Sequence, residues 1–412
     1  MDKSFSREKK QVVLLYISSL GGVFLGLLSS IINTRFLDPS NYGDVRFVQN
    51  FANLGATILF LGFYISGSRL LALSTDTEEK RNICGALLRI LALSALMLVL
   101  FLLICSIYYS SNKIISTLFV LSNLLALHLL LNNYITNVTQ GDNQIGLLSA
   151  SRLLPYGLYV IIAFIIYSFY GASSWLMMLL QGGVFLVVTV VITILTKPLF
   201  RNFSEIFKKL KNENVKYGNH IYIGSIAMVA TTYLAGISIG VFGEDNINVG
   251  FYTLALTVTN PLVMLPSIIG TTFFKEFATL VKIPAKVLKG SIVLTMLTCI
   301  IFIILIKPIV HFLYSEQYSV VSNYAMLLAV GFSIHGIGDM LGRFLIANGQ
   351  GKQARNSSIA CGTVKLIGYI LFVYLWGVNG AIFTTILSDM FYCGGMVYGY
   401  TSYTNNSINK NV

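Results

Sequence analysis

The 412-residue chain is 55% hydrophobic and only 11% charged, with a mean hydropathy of +0.76. That composition excludes a soluble globular domain and marks an integral membrane protein. A soluble nucleic-acid binder would carry the net charge of +12 on a polar fold, so no nucleic-acid partner is expected.

Crossing a hydrocarbon core of roughly 30 Å takes about 20 helical residues, which leaves room for about twelve passes. Apolar runs predict spans near 11–35, 44–74, 83–109, 114–140, 147–170 and 173–196, then 218–242, 249–275, 286–309, 321–347, 357–376 and 380–403. The expected fold class is an all-α polytopic membrane protein with two six-helix bundles around a central cavity. The opening MDKSFSREKK is basic, but the apolar stretch after it is too long for a removable signal and lacks a small-residue cleavage site. It reads as the first span, retained. With Lys3, Arg7, Lys9 and Lys10 on the cytoplasmic side, most other cations, Lys410 included, also fall at inner ends and loops. Only Arg35, Arg46, Lys113 and Lys307 of the 28 fall outside, beside the acidic loop GEDNINVG at 243–250. Both termini are therefore expected in the cytoplasm.

Cys84, Cys105, Cys299, Cys361 and Cys393 are scattered through apolar runs without CxxC or histidine spacing, so neither a disulfide framework nor a metal site is expected. The stretch NGQGKQAR at 348–355 lacks Walker spacing and reads as a tight turn between spans.

The two halves resemble one another. Gly43 answers to Gly250, Gly141 to Gly349 and Gly171 to Gly377, at offsets of 206 to 208 residues. An even number of spans per half gives parallel repeats, an arrangement that places a cavity between two bundles. The expected organisation is a bundle over 1–196, a cytoplasmic amphipathic linker over 197–217 and a bundle over 218–412. In the linker, Leu199, Phe203, Ile206, Phe207 and Leu210 share one helical face while Lys208, Lys209 and Lys211 fall elsewhere, as in a helix lying against anionic lipid.

The stretch GFSIHGIGDMLGRFLIANG at 331–349 sets His335, Asp339 and Arg343 four residues apart inside an apolar run. A charged side chain at mid-helix costs about 2.5 to 3.5 kcal/mol by insertion scales, so it seeks a partner or water. At 1.5 Å per residue His335 lies about 18 Å from the inner end of span ten, Asp339 about 12 Å and Arg343 about 6 Å. Lys365 on span eleven is level with Asp339, predicting an ion pair between them; Asp389 on span twelve is level with His335. Gly331, Gly338, Gly342 and Gly349 line a face beside this stripe and admit a close helix neighbour. The stripe serves either as a set of packing ion pairs or as a coupling site for H+ or Na+, with Asp339 or Asp389 changing protonation or binding a cation. No other cofactor is expected.

In the first half, Arg69, Arg89 and Arg152 fall at or near inner span ends, Arg35 and Arg46 flank the outer loop between spans one and two, and His128 sits near mid-depth. These arginines lack acids within the membrane and so are available to an anionic ligand. Pro155 in span five, and Asn260, Pro261 and Pro266 in span eight, are expected to interrupt their helices.

Residues 19–62, and TRFLDPSNYG at 34–43 above all, resemble the Wzx-type O-antigen and polysaccharide repeat-unit flippases of the multidrug, oligosaccharidyl-lipid and polysaccharide (MOP) exporter superfamily. The carrying pattern is an arginine closing span one, a leucine, a proline, and Tyr-Gly opening span two; Asp38 stands where the family usually has glycine. The resemblance implies a MATE-like fold, a bacterial cytoplasmic membrane location and alternating-access movement of an undecaprenyl-pyrophosphate-linked oligosaccharide to the outer leaflet. It implies no enzymatic activity, and as partners the membrane lipids, a polysaccharide polymerase and a chain-length regulator. On that reading Arg35, Arg46, Arg89 and Arg152 are the candidates for pyrophosphate contact, because guanidinium matches phosphate oxygens bidentately. Two alternatives stand beside it. An ion-coupled drug antiporter of the same superfamily predicts an acidic cavity in the first half, and a membrane polysaccharide polymerase predicts a long catalytic outer loop.

Overall fold

A computed structural model describes residues 2–410, with side chains over 13–406 apart from positions 16, 220, 224, 225, 227, 228 and 230. The side chains of Lys3, Arg7, Lys9, Lys10 and Lys410 therefore lie outside the described residues. Helix α1 (Asp2–Phe36) gives way at Asp38 to α2 (Pro39–Ile58), followed by α3 (Phe63–Leu73). Then come α4 (Thr77–Tyr108), α5 (Lys113–Gly141), α6 (Ile145–Tyr170) and α7 (Ser174–Leu195). The side chains of Asp38, Asp76, Asn112 and Ser173 each accept a backbone N–H of the helix they precede. Such caps satisfy amides that the first turn leaves free.

After α7 come α8 (Phe203–Glu213) and a π-helical turn over Asn214–Gly218, which runs directly into α9 (Asn219–Phe242). The remainder is α10 (Ile247–Thr259), α11 (Pro261–Thr272), the single turn α12 (Phe274–Phe277), α13 (Ala285–Leu313), α14 (Val320–Ala347) and α15 (Gly351–Lys410). No strand occurs among the described residues.

Nine helices among the described residues are long and apolar enough to cross a membrane, and α2 with α3, bent by 53°, makes a tenth. At Gly377 the backbone of α15 turns through a positive φ of 57°. Gly368 approaches Thr384 and Gly395 approaches Ser357, so 351–376 and 378–410 form an antiparallel hairpin of two passes. With the apolar stretch Thr231–Phe242 of α9 the count reaches the expected twelve.

The chain forms two compact units, Met1–Ile226 and Ala227–Val412. In the first unit α5 packs on α4 and α7, and α1 packs on α6. Gly21 faces Leu153, Gly26 faces Tyr156 and Asn33 bonds Tyr159, so α1 and α6 run in parallel. In the second unit α14 is central, touching α10, α11, α13 and α15.

Three expectations need correction. Span two is not continuous but breaks between Ile58 and Phe63, where Leu61 and Gly62 take positive φ angles of 55° and 68°. Pro155 and Pro266 do not interrupt their spans, because α6 and α11 run through them; the expected break in span eight does occur, at Asn260, ahead of Pro261, which opens α11. The linker helix α8 turns its apolar face onto protein and not lipid: Ile206 and Leu210 are buried, the helix packs on α3 and α4, and Phe207 stacks on Phe63.

Candidate functional site

Among the described residues, each unit holds a nest of polar side chains within its apolar helices. In the first unit the turn between α1 and α2 sets the geometry. Asp38 accepts the backbone N–H of Asn41 at 3.0 Å and its side-chain amide at 2.6 Å, and Pro39 supplies the preset φ of a first helical residue. The departure from glycine at this position thus provides a helix cap. Partial burial of the Asp38 carboxyl acts to raise its pKa, but the hydrogen bonds from Asn41 outweigh it and hold the group below the usual carboxylate value.

Two turns into α2, the Arg46 guanidinium lies over the Tyr42 ring, 4.8 Å from its centroid, and donates to Gln49 Oε1 at 2.8 Å. Gln49 donates in turn to Gln181 Oε1 on α7 at 2.8 Å, and both amides are buried. Arg46 also lies within electrostatic reach of Tyr159 on α6. Tyr159 donates to Asn33 Oδ1 on α1 at 2.6 Å, and its hydroxyl meets that of Tyr167 at 3.2 Å. Two buried donors in this nest have no acceptor: Arg46 Nε, and Nδ2 of Asn33, a residue 0% exposed. Such a group costs about 1 to 3 kcal/mol until an acceptor reaches it.

The other sequence-predicted arginines are placed elsewhere. Arg35 closes α1 at an exposed position. Arg152 lies on the α1–α6 seam and donates to Ser19 Oγ at 2.5 Å. Arg89 is exposed and tied to the linker, donating to the Phe200 carbonyl at 2.8 Å with its guanidinium 4.9 Å from the Phe203 ring centroid. His128 is buried, its Nδ1 meeting the Phe185 carbonyl at 3.2 Å.

In the second unit α14 runs parallel to the second arm of α15. Gly331 faces Ile386 and Asp389, Gly338 faces Tyr392 and Cys393, and Gly342 faces Met396, which is the close seam expected of these glycines. Gly349 does not join it; it ends the helix at a positive φ of 73°. Across the seam His335 Nδ1 lies 2.9 Å from Asp389 Oδ1, with side chains 15% and 4% exposed. The His335 ring stacks on Tyr392, centroids 4.5 Å apart, and the Tyr392 hydroxyl donates to Asp339 Oδ1 at 2.9 Å. Arg343 donates to Ser267 Oγ on α11 at 3.2 Å, and its buried Nε has no partner.

The predicted ion pair between Asp339 and Lys365 is not formed. Lys365, 9% exposed on the first arm, takes no part in the stripe's bonds: His335 and Asp339 bond the parallel second arm, and Arg343 bonds α11. The register differs from the expectation as well as the neighbour: the approaches of Gly368 to Thr384 and of Gly395 to Ser357 set Lys365 nearer the level of Asp389 than of Asp339. Sequence reasoning also passed over Asn33, Gln49, Tyr159, Gln181 and Tyr392. Asn33 and Gln181 did carry a signal, each an amide inside an apolar run.

A profile of the polysaccharide biosynthesis protein family matches residues 9–274. The chain belongs to this family. The match takes in the whole first unit from residue 9 onward, with its Arg46 nest, and the start of the second. Among solved structures, the lipid II flippase MurJ in an inward closed conformation is similar with a TM-score of 0.73 at 14% identity, covering 96% of this chain and 91% of that one. An inward-facing multidrug resistance MATE transporter of the MOP superfamily follows at 0.66 and 15%, covering 96% and 98%. A MOP superfamily transporter from Pyrococcus furiosus gives 0.59 and 16%, covering 96% of each chain. These likenesses bear out the MOP-type fold, and the family bears out the resemblance carried by TRFLDPSNYG. A search of curated protein sequences found no match.

Proposed function

We propose that the chain is a flippase carrying an undecaprenyl-pyrophosphate-linked O-antigen unit, or a related polysaccharide repeat unit, from the inner to the outer leaflet of a bacterial cytoplasmic membrane by alternating access. In this reading it is a carrier, and no covalent bond is made or broken. A sugar head bearing pyrophosphate does not cross hydrocarbon unaided, so its carrier must offer buried donors to phosphate oxygens. The observation that carries the reading is the pair of unsatisfied donors, Arg46 Nε and Asn33 Nδ2, within a nest already rich in hydroxyls and amides. Family membership and likeness to a lipid II flippase support it. A drug antiporter would need its acid in the first unit, whereas Asp389, the buried acid among the described residues, is in the second. Coupling to H+ or Na+ is assigned in this reading to the His335–Asp389 pair.

Complementation tests the proposal. A strain lacking the corresponding flippase should accumulate undecaprenyl-linked units facing inward, and the wild-type chain should restore surface polysaccharide. Arg46→Ala, inserted at the wild-type level, should not. Normal surface polysaccharide after deletion, in a strain without a redundant flippase, defeats the assignment.

A further inference from the structure

The break in span two leaves polar backbone exposed in an apolar region, and the donors that satisfy it come from far along the chain. Asn214, 4% exposed in the π-turn, donates from Nδ2 to the Leu61 carbonyl at 3.3 Å and accepts the Ser66 hydroxyl on Oδ1 at 3.2 Å. Tyr222, one turn beyond, donates to the Ile58 carbonyl. Gly62 and Gly218 meet backbone to backbone: a Cβ on Gly218 would lie 2.6 Å from the Gly62 carbonyl oxygen. Below them Arg69 of α3 pairs with Glu213 and lies over the Tyr217 ring, 4.9 Å from its centroid.

Single π-turns in helical proteins concentrate at functional positions, because one inserted residue spoils the helix's own ladder and survives only where something compensates. Here the compensation is the grip on span two. The bent form also has a built-in opponent. Leu61 is not glycine yet sits at φ 55°, a region that L side chains rarely adopt. Were residues 39–73 to form one continuous helix, the Ile58 and Leu61 carbonyls would be taken by amides four residues on, and Leu61 would leave the left-handed region. Straightening would thus pass the two carbonyls from side-chain to backbone donors and release Asn214 and Tyr222. Two alternatives that each satisfy the same carbonyls suit a bistable hinge.

We infer that the Asn214–Gly218 turn is a clasp on the hinge of span two: it holds the span bent, and its release lets the span straighten. All of its parts lie within the first unit, and the inference stands whatever the cargo.

The test is a distance. For helices of 20 and 11 residues a 53° bend shortens the end-to-end length by roughly 4 Å. Spin labels on cysteines at Ser40 and Leu73, in a chain whose five native cysteines are replaced, read that length by pulsed dipolar spectroscopy in lipid nanodiscs. Asn214→Ala should add a population about 4 Å longer than wild type. Leu61→Gly, which removes the opposing strain, should narrow the distribution to the short distance and restore it in combination with Asn214→Ala. Identical distributions for wild type and Asn214→Ala overturn the clasp, as does Leu61→Gly moving the distance in the same direction as Asn214→Ala. If Asn214→Ala does not reach the membrane, Ser66→Ala replaces it with the same expected and overturning results.

Discussion

The pair of His335 and Asp389 offers the sharpest energetic test of the second unit. The Asp389 side chain is only 4% exposed, and its Oδ1 lies 2.9 Å from the imidazole Nδ1 of His335. His335→Ala leaves the buried Asp389 oxygen without that partner, and a buried polar group left unpaired costs about 1 to 3 kcal/mol. The same substitution forfeits the stack on Tyr392, worth about 0.5 to 1.5 kcal/mol more. Asp389→Ala leaves the imidazole without its acceptor but keeps the stack, so it should cost less than His335→Ala. With both groups gone nothing is stranded, and the double variant should be more stable than the two single losses together imply. The coupling should reach about 1.5 to 3 kcal/mol, the usual worth of a hydrogen bond to a charged group, or roughly a tenfold to hundredfold change in the unfolding constant. Reversible unfolding in mixed micelles at neutral pH, on wild type and the three variants, measures it. Additivity within about 0.5 kcal/mol would show that the two groups do not act as a pair, and the argument for an ion-coupling role would fall with it.

Asp38→Ala should remove the cap of α2 and cost about 0.5 to 2 kcal/mol. Because the folded carboxyl titrates below its unfolded value, its charge contributes fully above about pH 4 and is lost as pH falls through the folded value; Asp38→Asn should keep the cap and flatten melting temperature against pH across that window. Parallel profiles for wild type and Asp38→Asn would show that the charge contributes nothing. Gly85→Ala places a Cβ 1.8 Å from the Leu199 carbonyl oxygen, so it should lift the linker off α4 at a cost of about 1 to 3 kcal/mol and speed proteolysis over 197–203. Gly290→Ala, with open space at its Cβ, is the matched control and should cut at the wild-type rate.

Much of this architecture was legible because membrane physics writes in long words. A span must be apolar for its full length, so the passes are countable, and a turn must be polar or contain glycine, so Gly171 and Gly377 mark corresponding ends in both halves at positive φ angles of 75° and 57°. The glycine face of α14 was equally plain, since only a close neighbour makes use of it. What periodicity does not encode is the identity of that neighbour. A helical face looks the same whether the first or second arm of α15 covers it, which is why Lys365 was paired with Asp339 and Tyr392 was missed. The hinge at Leu61 and Gly62 was hidden for a related reason: it occurs inside an apolar run and is held by Asn214, 153 residues from the carbonyl it satisfies.

The parallel seating of α14 on the last arm has a consequence for biosynthesis. His335 and Asp389 are 54 residues apart, so the ribosome works for roughly 3 to 10 seconds between delivering one and the other. For that interval the imidazole and Asp339 lack the hydrogen-bond partners that the last arm brings, although α10, α11 and α13 are already made. A transcript cut anywhere between those codons yields a protein whose tenth crossing never finds its counterpart. Quality-control proteases should clear such fragments, while shorter ones ending before residue 335 escape that particular defect.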